Sequence, residues 1–93
     1  AGLGLPEVVD GLANAPAAEL LVGINLPGGD LRSFATADDG GKDCRAACAS
    51  EGQCRAMTWV KPGIQGAAPR CWLKNAIPGR ANDPNTVSAI LRP

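Results

Sequence analysis

Apolar residues recur every second position at the start of the patterned part of the chain. Leu20, Val22, Ile24 and Leu26 alternate with Leu21, Gly23 and Asn25, the period of a β-strand. Pro27-Gly28-Gly29 then turns the chain, and Asp30 to Thr36, carrying Leu31, Phe34 and Thr36, predicts a second, less regular strand. Between about Gly40 and Glu51 the period changes. Cys44, Ala47 and Cys48 fall at i, i+3 and i+4, one face of a helix, with Asp38 or Asp39 placed to cap its N-terminus and Gly52 to stop it. Cys54 to Val60, with Thr58, Trp59 and Val60, reads as a strand, as does the short run Cys71 to Lys74. The two are joined by a long hairpin loop, Lys61 to Arg70, that holds Pro62, Gly63, Gly66 and Pro69. A polar loop over 75–85 leads to a last alternating run, Thr86 to Leu91. Two strands, a helix and three strands predict an α+β domain, one helix laid on an antiparallel sheet.

Residues 1–19 lack this patterning. They are rich in Ala and Gly, broken at Pro6 and Pro16, and read as a leader or linker ahead of a domain spanning 20–93. The chain opens on Ala1 without the basic, apolar, small-residue order of a signal peptide, so it reads as a processed form or a domain cut from a longer protein, the second being the favoured reading. No apolar stretch approaches the length that crosses a bilayer. Nine basic and nine acidic side chains are scattered through 93 residues and give a formal charge of zero. That balance argues against nucleic acid and against an anionic membrane surface as partners.

Four cysteines change the picture most. A chain of 93 residues is short for building a stable core unaided, and thiols spaced Cys44-x3-Cys48-x5-Cys54-x16-Cys71 suit a disulfide framework in an oxidising compartment. The domain is therefore expected to be secreted, displayed at a cell surface or periplasmic. A four-thiolate zinc site is the rival reading, but its ligands usually arrive as C-x2-4-C pairs and the gaps here are looser, with no His in the chain to help. No metal or other cofactor is expected. The absence of His also removes the usual general base and any imidazole partner for a thiolate. The neighbouring carboxylates Asp38 and Asp39 suit a helix cap better than acid/base work, and no nucleophile-elbow, phosphate-loop or dinucleotide motif occurs. The chain is not expected to be an enzyme.

The stretch from Leu26 to Leu73 resembles a PAN/Apple module, in the short form found in bacterial extracellular proteins. The residues that carry the resemblance are Leu26 to Asp30 with Phe34, Cys44-Arg45-Ala46-Ala47-Cys48, Cys54-Arg55-Ala56 with Thr58 to Gly63, Cys71 to Lys74, and Val87-Ser88. It extends over about residues 20–92. It implies a twisted antiparallel β-sheet cradling one α-helix that disulfides staple to the central strands. Of the three pairings four cysteines allow, it implies Cys44 with Cys71 and Cys48 with Cys54. Apple domains of animal plasma proteins often carry a third bridge between their ends; this chain has none, so strand pairing alone would hold its termini. The resemblance also implies a function: non-catalytic recognition of a polysaccharide or an extracellular protein.

Candidate contact residues follow from the strand period. If Cys54 and Cys71 face the helix, Ala56, Thr58, Val60 and Leu73 share that face, and Arg55, Met57, Trp59, Trp72 and Lys74 lie on the other. Two indoles beside two cations suit sugar stacking and anion fixing, although large apolar side chains are more often simply covered by another segment. Lys61, Gln65 and Arg70 of the hairpin loop are further candidates, because long loops on rigid scaffolds often carry recognition. Two other roles fit the same chain: a structural spacer or assembly domain inside an extracellular enzyme, and a small disulfide-rich inhibitor that uses the 61–70 loop.

Overall fold

Each stretch of alternating residues becomes a strand, and the i, i+3, i+4 cysteine face becomes a helix. The structure is a computed structural model and describes residues 19–93. In chain order it contains β1 (Glu19–Asn25), β2 (Asp30–Ala35), α1 (Lys42–Ser50), β3 (Ala56–Val60), β4 (Arg70–Lys74) and β5 (Ala81–Ile90). The strands form one antiparallel sheet in the order β1-β5-β3-β4-β2. This is the α+β class the pattern predicts. Glu19, assigned to the leader by composition, instead opens β1 opposite Ile90, and residues 1–18 of the expected leader lie outside the described residues. The last strand starts at Ala81, so the loop expected over 75–85 is shorter.

Helix α1 is set by its ends. Asp39 accepts the backbone N–H groups of Gly41, Lys42 and Asp43, each at 3.0 Å, the groups that a helix N-terminus leaves without partners. Burial works against the Asp39 charge, but the N–H bonds from Asp43, Gly41 and Lys42 outweigh it and hold the carboxyl below its ordinary value of 3.8. Gly41 enters the helix at φ +96°, a left-handed conformation that favours glycine, and an added Cβ would lie tightly, 3.3 Å from Met57 Cε and from Trp59 Cβ. At the other end Arg92 reaches across from the C-terminal tail. Its Nη1 donates to the carbonyls of Cys48 and Cys54 and its Nη2 to that of Ala49, satisfying acceptors at the end of the helix.

Cys44 is bonded to Cys71 on β4 and Cys48 to Cys54 just past the helix, with Cα separations of 5.5 and 5.2 Å. All four sulfurs are buried in the main core, and none is a free thiol. Against them pack two cross-strand rows of the helix-facing side: Cys71, Trp59 and Val87, then Leu73, Met57 and Ala89. This corrects the face assignment drawn from Cys54. Cys54 still belongs to the turn leaving α1, where its N–H bonds the Glu51 carbonyl at 2.9 Å, and pleated alternation begins only at Ala56. Met57 and Trp59 therefore face the helix, while Ala56, Thr58 and Val60 join Trp72 and Lys74 on the opposite side.

A second phase change occurs in β1. The register with β5 shifts between Val22 and Ile24, around Gly23 at φ +75°. Leu20 and Val22 point to the helix side beyond the reach of α1 and are 51% and 72% exposed. Leu21, Ile24 and Leu26 instead pack with Ala56 and Ile90 on the other side. The segment 25–29 thereby crosses that face as a strap, with Leu26 fully buried beneath it. Ser88 anchors the crossing: its hydroxyl donates to the Ile24 carbonyl at 2.6 Å and takes part in a 2.8 Å hydroxyl pair with buried Thr58.

Candidate functional site

The strap covers only part of the sheet face that α1 leaves free, and a cleft of about 200 Å³ remains beside it. Its floor is Thr58 and Val60 of β3 with Thr86 of β5, side chains that the antiparallel register directs away from the helix. One wall is Trp72 of β4 together with Ile64 and Gln65 from the hairpin loop. The other is the strap itself, Asn25, Pro27 and Gly28, and Asp30, Lys74 and Asp83 complete the lining.

Each wall is fixed by bonds that local sequence explains. The breakers of the 61–70 loop fold it into a tight tip, where Gly63 N–H bonds the Gly66 carbonyl at 2.8 Å, and this brings Gln65 over Trp72. The indole Nε1–H donates to Gln65 Oε1 at 2.8 Å, which orients the ring. The Lys74 side chain is almost wholly buried. Its ammonium is held by the Gly28 carbonyl at 3.1 Å and by the Asp30 carboxylate, tying strap, β2 and β4 together. Asp83 opens an Asx turn: its Oδ1 accepts the Asn85 N–H at 3.0 Å and its carbonyl accepts the Thr86 hydroxyl at 2.9 Å.

Of the residues singled out from the sequence, Gln65, Trp72 and Lys74 come together in this cleft. Trp59 lies elsewhere, for the reason of strand phase given above. It is 4% exposed in the helix-side core and its indole N–H is used by the Ala37 carbonyl at 3.1 Å, so it offers no surface to a ligand. Arg55 is exposed and donates from Nε to the Arg92 carbonyl; its backbone N–H bonds the Lys74 carbonyl at 2.8 Å, but it does not line the cleft. Arg70 donates twice to the Ser33 hydroxyl, at 3.2 and 2.9 Å, in the row beyond Trp72. Lys61 is exposed at the base of the hairpin and does not line the cleft either.

The sequence pattern missed Asn25, Asp30 and Asp83. Asp30 stood in a turn signal and Asp83-Pro84-Asn85 in a loop signal, and both signals were present, but nothing local says that two turns far apart in the chain meet over one sheet face. The lining supplies an indole, hydroxyls, side-chain amides and carboxylates. Such groups hold a ligand by stacking and hydrogen bonds. Among the described residues, no helix is long and apolar enough to cross a membrane.

Comparison with known proteins agrees with this architecture. The family model described as PAN domain matches residues 24–74, more than half of the chain. No curated protein and no solved structure matches.

Proposed function

Since the chain belongs to the PAN domain family, whose members are modules for binding proteins or carbohydrates, we propose that it is a non-catalytic recognition module whose ligand enters the cleft beside Trp72. The observation that carries this reading is the prior ordering of the cleft. Trp72 is held by Gln65, Lys74 is held by Asp30 and Gly28, and the floor belongs to β3 and β5, backed on the other face by the disulfide-bonded core under α1. Groups already fixed lose little freedom when a ligand arrives, so more of the contact energy appears as affinity. The volume is below the roughly 300–1,000 Å³ of drug-sized sites, which suits one sugar ring or one side chain of a larger partner. Disulfides favour an oxidising setting, and the module fits a secreted, cell-surface or periplasmic protein of the kind in which the short bacterial form occurs.

A glycan array and a panel of extracellular proteins, each probed with the parent domain and with Trp72→Ala, test the reading. Saturable binding that the substitution abolishes in a still-folded domain is the expected result. Binding that survives it unchanged would move recognition away from the cleft. A second reading, an assembly or spacer domain, draws support from Leu20 and Val22, two large apolar side chains left exposed side by side on an edge strand. On that reading the array is silent and Val22→Asp disrupts assembly of the longer protein.

A further inference from the structure

Most side-chain hydrogen-bond donors of the cleft are already satisfied inside the protein, and that decides between the two occupants its size admits. Donors among the lining residues belong to Asn25, Thr58, Gln65, Trp72, Lys74 and Thr86. Ser88 gives its hydrogen to the Ile24 carbonyl, so in the 2.8 Å hydroxyl pair it is Thr58 that donates. Thr86 donates to the Asp83 carbonyl, the Trp72 indole N–H to Gln65 Oε1, and the Lys74 ammonium to the Gly28 carbonyl and the Asp30 carboxylate. Apart from the third hydrogen of Lys74, only the carboxamides of Asn25 and Gln65 keep N–H groups without a partner among the described residues. A pyranose entering the cleft would give up water at several hydroxyl oxygens and find few donors in exchange, and each oxygen left unpaired costs free energy. An aliphatic side chain needs no donor. The cleft does offer it apolar surface: the Trp72 indole and Val60, which share a face by strand phase, with Pro27 and the 52% exposed Ile64 in the same lining.

We propose that the cleft takes a bulky aliphatic side chain, of the leucine or isoleucine kind, from an extended segment of a partner protein, seated over Val60 between Trp72 and the strap. This rests on the recognition reading above and adds to it the class of ligand. The two free carboxamides fit the same occupant. Asn25 and Gln65 belong to opposite walls, and a peptide crossing the mouth between them presents a backbone N–H or C=O to each side. A carboxamide pairs with either group, so the side chain gives the specificity and the flanking backbone completes the contact.

Titration of the isotope-labelled domain with N-acetyl-leucine methylamide, N-acetyl-serine methylamide and the methyl glycosides of glucose and N-acetylglucosamine tests the assignment, read at the Trp72 indole N–H with that of buried Trp59 as internal reference. The expected result is a saturating shift from the leucine amide, at an affinity about tenfold above that of the serine amide, as burial of one aliphatic side chain gives. Both glycosides should bind more weakly than the leucine amide. Equal or tighter binding of a glycoside at this indole overturns the aliphatic assignment and leaves recognition at the cleft standing, with a sugar as its ligand. Equal binding of the two amides overturns the assignment as well. No shift from any of the four overturns both the assignment and the recognition reading beneath it.

Discussion

Arg92 shows how much a single side chain does in a domain this small. Its guanidinium serves three carbonyls, two at the end of α1 and that of Cys54, from a tail residue 38 to 44 positions away. Arg92→Ala leaves these acceptors without their cation and is expected to cost about 2 to 3 kcal/mol, read as a drop in ΔG from chemical denaturation. Ser88 is the counterpart on the other face, since it passes a hydrogen bond from Thr58 to the Ile24 carbonyl. Ser88→Ala is expected to cost about 1 to 3 kcal/mol by stranding buried polar groups. Asp39 gives a pH dependence. Its folded pKa lies below the unfolded value, so its contribution is present above about pH 4 and is lost as the pH falls through the folded value. Thermal melts from pH 6 to pH 2 should show this loss for the parent and a smaller one for Asp39→Asn. None of the long-range partners of Arg92 or Ser88 could be read from neighbouring residues, whereas the Asp39 cap could, because its partners lie within four positions.

At the scale of elements, α1 is held by two bridges that close loops of different length, 27 and 6 residues apart in sequence. The entropy of loop closure makes the longer one worth about 3.5 kcal/mol and the shorter about 2 kcal/mol. Replacing Cys44 and Cys71 together by Ser should therefore lower the denaturation midpoint more than replacing Cys48 and Cys54. Gly41→Ala should also destabilise, by about 1 to 2 kcal/mol for the left-handed backbone alone, with a tight approach to Trp59 and Met57 beside it. The elements themselves were legible because each has its own period or stop signal. Their phase was less so. A turn residue, Cys54, and a glycine bulge, Gly23, each displaced the alternation by one position, and a single-residue slip exchanges the two faces of a strand. That is why Trp59 was expected outside and is found in the core, while Trp72, anchored to the true phase of β4 by Cys71, was placed correctly.

Across the whole molecule, the two faces of the sheet have separate duties. Disulfides, helix and most of the aromatic and sulfur bulk occupy one face; the strap and the cleft occupy the other. The meeting of strap and hairpin over the sheet depends on contacts between residues dozens of positions apart, so the candidate site was visible in sequence only as three of its members. Glu19 stands opposite Ile90 in the ladder, and neighbouring strands run about 5 Å apart, so both ends of the described domain meet at one corner. The cleft runs along the face from Lys74, in the row of Ile90, to Thr86, in the row of Val60. A host protein could therefore receive residues 19–92 as a graft in an exposed turn, with short flanks and no separation of its own flanking strands.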